Sequence, residues 1–167
     1  TIRDIPNFPK PGIIFKDISP IMLDPLLSCE TLDFLYHKYK NENIDALAGI
    51  ESRGFLFGYP LAIRLNIPFV LIRKKGKLPY NKISHDYNLE YGNATIEMHT
   101  DALNIGDKVL IHDDLLATGG SAEAAGYLIE KSGAIVYGFD FLISLDFLKG
   151  KQRLIKFSNK IATLAAY

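Results

Sequence analysis

The chain has 167 residues, of which 48% are hydrophobic and 23% charged, so its composition is that of a folded globular protein and excludes a disordered one. This length fits a single domain, residues 1–167, that buries roughly two-thirds of the surface of its unfolded chain. Nineteen basic and nineteen acidic side chains balance, which gives no electrostatic reason to expect a nucleic-acid partner.

The cellular compartment is predicted from the lack of a recognisable membrane-spanning run or signal peptide and from the low cysteine content. No apolar run approaches the ~20 residues of a membrane-spanning helix, and no signal peptide is recognisable. The single cysteine, Cys29, cannot form an internal disulfide, which suits a reducing compartment. We therefore expect a cytoplasmic protein with no membrane partner. Cys29 falls in a predicted helix, so we expect a buried thiol rather than a catalytic one.

The first forty residues divide into an extended segment and a helix. Residues 1–20 contain four prolines, which exclude a long helix and predict an extended segment lying against another surface. The pair Asp24-Pro25 predicts a helix start, with Asp24 as the cap and Pro25 in the first position. The helix should run to about Lys40.

Strands and helices then alternate. Residues 46–50 and 69–72 are short apolar runs that predict buried strands, and the first is followed by the polar turn 51–54. The helical run 55–65 contains Pro60, so we expect a kink or a late helix start there. With further strands at 135–143 and, at a sheet edge, 161–166, the pattern predicts a mostly parallel sheet with helices on both faces.

The apolar pattern lapses between residues 78 and 92. A connection of this length inside a compact domain is usually functional, so we expect a mobile lid there. Residues 95–99 alternate between apolar and polar side chains and predict a half-exposed strand. Residues 87–91 are a candidate partner for that strand in a long hairpin.

A phosphate site is predicted after the apolar strand 109–111. This strand should end at Asp113 and Asp114, before a small-residue loop and a helix from Ser121 to residue 131. Gly119 and Gly120 allow positive φ and a close ligand approach, and Ser121 could cap a helix whose first amides favour an anion. The carboxylates would repel phosphate, so they should face sugar hydroxyls or a divalent cation.

The run 113–121, Asp-Asp-Leu-Leu-Ala-Thr-Gly-Gly-Ser, resembles the phosphoribosyl-pyrophosphate motif of the type I phosphoribosyltransferases. Four other blocks are similar to members of that family that act on adenine. Residues 7–20 resemble their N-terminal hood, 51–58 their pyrophosphate loop, 73–79 their basic loop and 89–92 the base of their mobile catalytic loop. The resemblance keeps the family order over the first 130 residues.

This resemblance implies a fold and a reaction. The fold is the α/β type I phosphoribosyltransferase fold, a central, mostly parallel twisted sheet flanked by helices, with a small hood (1–20) and a mobile catalytic loop (75–92). The reaction is transfer of the 5-phosphoribosyl group from phosphoribosyl pyrophosphate to adenine, giving AMP and pyrophosphate in purine salvage. The implied cofactor is Mg²⁺, held mainly through pyrophosphate and not by a direct protein ligand, and the implied assembly is a homodimer.

The resemblance also assigns site residues, in four groups. The catalytic acid/base would be Glu90. The phosphoribosyl group and AMP would be bound by Asp113, Asp114, Ala117, Thr118, Gly119, Gly120 and Ser121. Pyrophosphate would be bound by Glu51, Ser52, Arg53, Lys74 and Lys77. Adenine would be bound by Ile13, Phe15 and Lys16, with the Phe15 ring stacked on the base.

Some positions depart from the family pattern or stay open. Lys16 stands where the family commonly has Arg, and a lysine cannot make the planar bidentate contact of a guanidinium. His112 stands where an apolar residue usually precedes the acid pair, and either packing or proton transfer would account for it. Arg73 and Lys75 belong either to a dimer interface or to a neighbouring subunit's site.

Two rival functions remain. The first is a relative that uses hypoxanthine or xanthine, because no physical feature of the sequence selects adenine. The second is a regulator that senses phosphoribosyl pyrophosphate, which would need a DNA-binding module and would not need Glu90. The 20-residue lead segment and the balanced charge argue against the regulator. Other nucleotide enzymes are disfavoured because neither a P-loop nor a dinucleotide-binding fingerprint occurs.

Overall fold

A computed structural model describes residues 2–89 and 92–167. They form two compact units, one up to Asn41 and the other from Glu42 to Tyr167. In the described part of the chain, no helix combines the length and the apolar character needed to cross a membrane.

The first unit contains two short strands and two helices. Strands β1 (Arg3–Pro6) and β2 (Ile14–Asp17) pair antiparallel, and helices α1 (Ser19–Leu23) and α2 (Pro25–Tyr39) follow. The prediction of an extended segment without a long helix is confirmed, and its placement against another surface stays a prediction. The predicted start of α2 is also confirmed, because the Asp24 carboxylate accepts hydrogen bonds from the amides of Leu26 and Leu27.

The prediction of a buried Cys29 is wrong, since the thiol is exposed. The buried face of α2 consists of Thr31, Leu35 and Tyr39, which recur every four residues. Cys29 is not in this series and lies off the buried stripe.

The second unit is built on a seven-stranded sheet in the order β5-β6-β4-β3-β7-β8-β9. Its strands are β3 (Ala46–Ile50), β4 (Phe69–Lys74), β5 (Lys82–Leu89), β6 (Gly92–His99), β7 (Lys108–Leu116), β8 (Ile135–Ser144) and β9 (Ile161–Ala166). Its helices are α3 (Gly54–Leu65), α4 (Gly120–Lys131) and α5 (Lys151–Leu154), with a 3₁₀ turn at Asp146–Leu148. Strands β3, β4, β7, β8 and β9 are parallel, and the β5–β6 hairpin adds to β4 antiparallel.

The predicted fold is therefore confirmed as a mostly parallel sheet flanked by helices, with β9 at an edge. Strand β3 is buried at all five positions, as its short apolar sequence predicts for the centre of a parallel sheet. Helix α4 packs an alanine-rich face on the same core, through Ala122, Ala124 and Ala125.

Several element boundaries differ from the prediction. Strand β7 runs through both acids to Leu116 instead of ending at them, because β8 continues to pair with it, Asp113 opposite Phe141 and Leu115 opposite Ile143. Helix α3 begins at Gly54 and continues past Pro60, so a late start there is wrong. Buried apolar side chains along α3 offset the ~3 kcal/mol that an internal proline costs a helix.

The segment predicted as a mobile lid contributes a strand to a regular hairpin. Residues 82–89 form β5 and pair with β6 in eight register positions. The predicted partner strand 87–91 is therefore confirmed up to residue 89 and begins five residues earlier than expected, while residues 90 and 91 lie outside the described residues. The mobility of this hairpin stays a prediction. The predicted half-exposed face of residues 95–99 is wrong at Glu97, which is buried together with Ile96 and Met98.

Candidate active site

Three polar segments meet at one edge of the sheet in the second unit. They are the turn 51–53 after β3, the turn 74–77 after β4 and the loop 117–119 after β7. Because β3 pairs in parallel with both β4 and β7, the carboxyl ends of these strands lie side by side. Open α/β sheets bind ligands at such an edge.

The loop before α4 is shaped by two glycines. Gly119 has φ +82° and is the N-cap residue, so Ser121 lies inside the first turn, and the prediction that Ser121 caps the helix is wrong. A β-carbon on Gly119 would lie 2.8 Å from the carbonyl oxygen of Gly150. A side chain at Gly119 would thus be excluded by both backbone conformation and packing.

The start of α4 has the features of an anion site. No side chain of the described residues caps the helix, so its first amides are available to a ligand. Thr118 and Ser121 add two hydroxyls beside these amides, and the Ser121 hydroxyl lies 3.2 Å from the hydroxyl of Tyr87 on the hairpin. Tyr87 was not singled out by the sequence pattern, since a tyrosine in a polar strand gives no sign of its partner.

The acid pair lies on β7 directly before this loop. Burial raises the pKa of Asp113 well above its usual range, and repulsion from Asp114 raises this pKa further. Burial also raises the pKa of Asp114, while the Arg53 guanidinium opposes the rise. The Arg53 Nε lies 3.0 Å from Asp114 Oδ2. Both carboxyls are therefore harder to ionise than an exposed aspartate.

The close approach of α3 to β7 depends on Gly54. A β-carbon there would lie 2.7 Å from the carbonyl oxygen of His112 and 3.0 Å from Asp113 Oδ1. Glycine at this position lets the helix start directly against the acid pair, which places Arg53 beside Asp114. Arg53 keeps 37% of its side chain exposed, so it can also face a ligand.

The basic turn is held by acids. Glu51 accepts hydrogen bonds from Arg73 Nε and Nη2, at 3.3 and 3.2 Å, and from the Lys74 amide at 2.9 Å. Burial alone would raise the pKa of Glu51, but the Lys74 amide and Arg73 outweigh it, and the pKa is lowered. Glu51, predicted to bind pyrophosphate, thus binds the turn itself, and any contribution to the ligand would be indirect.

The remaining predicted pyrophosphate residues face outward. Ser52, Lys74 and Lys77 are exposed, as is Lys75. Arg73, whose role was left open, makes intrachain bonds to Glu51 and to the Lys77 carbonyl oxygen, the latter at 3.0 Å. The structure therefore brings Arg53 and the lysines to the same edge as the acid pair and the phosphate loop.

The predicted adenine residues lie in the first unit. Ile13 is exposed, and the Phe15 ring packs edge-on against Phe8 with centroids 5.2 Å apart. The Lys16 ammonium is 2.7 Å from Asp4 Oδ1, so its charge is engaged within this unit. The predicted catalytic residue, Glu90, lies outside the described residues.

A second buried ionisable pair lies behind the acid pair. His112 is fully buried, and its Nδ1 lies 2.9 Å from Asp140 Oδ2 on β8. Its Nε2 has no hydrogen-bond partner among the described residues. His112 stands out in the sequence as a departure from the family pattern, whereas the only sign of Asp140 is a charged residue within an apolar run.

Comparisons with known proteins agree with this geometry. A family model described as a phosphoribosyl transferase domain matches residues 28–140, and the chain therefore belongs to the phosphoribosyl transferase family. It is similar to the adenine phosphoribosyltransferase of Cytophaga hutchinsonii, with 52% identity over 100% of this chain and 92% of that protein.

Solved structures give the same result. The structure of adenine phosphoribosyltransferase from Thermoanaerobacter pseudethanolicus superposes with a TM-score of 0.94 at 44% identity, covering 99% of this chain and 95% of that one. The Saccharomyces cerevisiae enzyme, complexed with an imino-altritol bisphosphate and adenine, superposes with a TM-score of 0.90 at 41% identity. That match covers 98% of this chain and 93% of the yeast chain.

Proposed function

We propose that this protein transfers the 5-phosphoribosyl group from phosphoribosyl pyrophosphate to adenine, forming AMP and pyrophosphate. The observation that carries the proposal is one sheet edge that combines a phosphate loop, an acid pair in contact with Arg53 and a basic turn. The choice of adenine is supported by relatives named adenine phosphoribosyltransferase and by the yeast structure that contains adenine.

The 5′-phosphate would bind the loop 117–121. Amides at the start of α4, together with the Thr118 and Ser121 hydroxyls, would donate hydrogen bonds to its oxygens. The Gly119 conformation makes this approach possible.

The acid pair would take the ribose hydroxyls. Their carboxylate oxygens would accept hydrogen bonds from these hydroxyls. The ionised member would also stabilise the positive charge that develops on the sugar as the bond to pyrophosphate breaks.

Pyrophosphate would leave towards Arg53 and the basic turn, with Ser52, Lys74 and Lys77 as exposed donors. Mg²⁺ would be held mainly through the oxygens of pyrophosphate and not by a direct protein ligand, which fits a turn whose exposed side chains, Lys74, Lys75 and Lys77, are cationic and would bind the anion rather than the metal. Bound in this way, Mg²⁺ would neutralise charge on the leaving group. The protein's own part is to bind and orient the anion.

Glu90 would accept the proton that adenine loses as its ring nitrogen forms the new bond, and would return it in the reverse direction. In the sequence, this residue directly follows the last residue of β5. Ile13, Phe15 and Lys16 remain the proposed adenine contacts.

A turnover assay tests the proposal. Purified protein is given phosphoribosyl pyrophosphate and Mg²⁺ with adenine, hypoxanthine, guanine or xanthine, and nucleotide formation is followed by chromatography. We expect AMP to be the main product, and adenine to outcompete the other bases in a mixture. Turnover of hypoxanthine alone would assign the protein to another base, and no turnover with any base would refute the enzyme.

A further inference from the structure

Glu97 is a buried carboxylate with no role in the reaction described above. Only 4% of the residue is exposed, although the polar–apolar alternation of β6 predicts that it faces solvent. In the antiparallel pairing of β6 with β4, Glu97 lies opposite Arg73. That position is the point at which the chain leaves β4 for the basic turn.

The Glu97 carboxylate joins this turn to the hairpin. Its Oε2 accepts a hydrogen bond from the Gly76 amide at 2.9 Å and lies 3.3 Å from the Lys82 Nζ. Lys82, at the start of β5, also donates from Nζ to the Leu78 carbonyl oxygen at 3.0 Å. One pair of side chains therefore connects the middle of the basic turn, its exit and both strands of the hairpin.

The turn is held from both sides. Glu51 binds its first residue through the Lys74 amide, and Glu97 binds its third residue through the Gly76 amide. A further backbone bond runs from the Lys75 amide to the Thr95 carbonyl oxygen at 3.0 Å. The backbone of the turn is thus fixed, while the lysine side chains it carries remain exposed.

Burial of the Glu97 carboxylate is unfavourable for stability, and packing alone does not explain why a charged residue occupies this position. A buried carboxylate is unfavourable unless it is paired and hydrogen-bonded, and an apolar residue of similar size would often be as stable. The pair instead favours anion binding, because a turn whose backbone is already fixed loses less conformational entropy when its lysines bind an anion.

We propose that Glu97 and Lys82 form a positioning pair that holds the basic turn in the shape that binds pyrophosphate and couples it to the β5–β6 hairpin. This inference rests on the proposed function, in which the turn receives the pyrophosphate. Glu97 touches no substrate, and its effect acts through the backbone of residues 74–77.

The test compares Glu97→Ala, Glu97→Gln, Lys82→Met and the double variant Glu97→Ala/Lys82→Met with the parent. Glu130→Ala, an exposed glutamate on α4, is the matched control. We expect Glu97→Ala to raise the KM for pyrophosphate in the reverse reaction about tenfold, as expected for loss of a hydrogen bond to a charged group. Affinity for AMP, measured by calorimetry, should stay within about twofold of the parent, because AMP is held by the other loops.

The other variants separate positioning from simple loss of structure. Glu97→Gln keeps an acceptor for the Gly76 amide, so it should restore most of the pyrophosphate KM. Lys82→Met should raise the KM in the same direction, and the double variant should be less than additive because both residues act through one contact. These variants should fold even if Glu97→Ala does not, since Lys82 is partly exposed and Gln preserves the shape of Glu97.

Three results would overturn the inference. The first is an unchanged pyrophosphate KM in folded Glu97→Ala or, if that variant does not fold, in Lys82→Met. The second is an equal loss of affinity for AMP and for pyrophosphate. The third is full additivity of the two effects on KM in the double variant. Failure of the proposed function would look different, because the parent itself would then show no turnover with any base. In that event, calorimetric titration of the parent and of Lys82→Met with magnesium pyrophosphate still tests the pair.

Discussion

Asp113, one member of the acid pair, shows how a single residue can serve binding at the expense of stability. The folded state raises the pKa of Asp113 well above its usual value of about 3.9. A group with a raised pKa in the folded protein stabilises it fully below the unfolded value, and this contribution is lost as pH rises towards the folded value. In the ligand-free protein, Asp113 should therefore become a destabilising residue at neutral pH and above.

Replacing Asp113 by Asn removes this buried charge and gives the first prediction. Asp113→Asn should raise the free energy of unfolding by about 1–2 kcal/mol near pH 8, because the variant has no buried charge there. It should have little effect near pH 4, where the Asp113 carboxyl of the parent is itself mostly neutral. Urea unfolding without ligand at several pH values measures the difference. The exposed Asp101→Asn is the control, and parallel stability profiles for parent and Asp113→Asn would contradict the prediction.

Glu90 provides the second prediction at this scale. Glu90→Gln should lower kcat by about a hundredfold to ten-thousandfold, because the amide cannot accept the proton from adenine. Binding of phosphoribosyl pyrophosphate, measured by calorimetry, should barely change. Glu130→Gln serves as the control. If Glu90→Gln keeps turnover within a few-fold of the parent, the proton goes elsewhere and His85 is the next residue to test.

The strands and helices show which features sequence patterns can predict. Buried strands such as β3 and β8 were predicted because a short apolar run indicates a buried strand at any position inside a parallel sheet. The end of β7 was misplaced because its last residues are polar and are kept in the strand by pairing with β8. Glu97 was misjudged because its burial depends on the Gly76 amide and Lys82, which are distant in sequence.

The candidate site divides in the same way. The phosphate loop and acid pair were predicted from a contiguous run, since strand, acids, glycines and helix follow one another in the sequence. The partner of Ser121 and the Asp140 beside His112 come from other elements, and their sequence neighbourhoods carry no signal of contact. Contacts between elements, rather than the elements themselves, are what sequence reasoning missed.

The hairpin formed by β5 and β6 carries the third prediction. It contacts α4 through the hydroxyl of Tyr87, through the His85 ring, which stacks on Tyr127 with centroids 4.8 Å apart, and through Lys131 Nζ, which donates to the Ser84 carbonyl oxygen at 3.2 Å. Such partly exposed side-chain contacts can break and reform, so we expect weak hydrogen-exchange protection in β5 without ligand. Protection should rise with phosphoribosyl pyrophosphate and an adenine analogue, as for a lid that excludes water.

Tyr87→Phe refines this measurement, since it removes only the hydroxyl that meets Ser121. The rise in protection should be smaller in this variant, whereas Tyr80→Phe, at an exposed position, should behave as the parent does. Amides of the buried β3 are the internal reference. Equal exchange with and without ligand would count against a lid.

On the scale of the whole molecule, one helix face has the character of an interface. Leu56, Tyr59 and Ile63 are 43%, 55% and 60% exposed and follow one another at helical spacing along α3. Apolar side chains grouped in this way usually mark a contact surface. We propose that this face is part of the predicted homodimer interface.

The fourth prediction follows from this surface. Ile63→Glu should shift the protein from dimer to monomer, because it places a charge within an apolar contact. Sedimentation velocity at several concentrations measures the change. Ile105→Glu alters an isoleucine that is even more exposed and should leave the assembly as it is. A parent protein that sediments as a monomer would refute the interface.

The contact between Gly119 and Gly150 also limits how the phosphate site can change over time. A β-carbon on Gly119 would lie 2.8 Å from the Gly150 carbonyl oxygen, and one on Gly150 would lie 2.3 Å from that of Ala117. Neither glycine can be exchanged alone, so single mutations offer no route to a larger or differently shaped loop. A variant that binds a bulkier anion, whether it arises in nature or in a laboratory library, needs two changes in order. Residues 145–150 must first be lengthened or re-routed, and only then can the loop that binds the phosphate be altered.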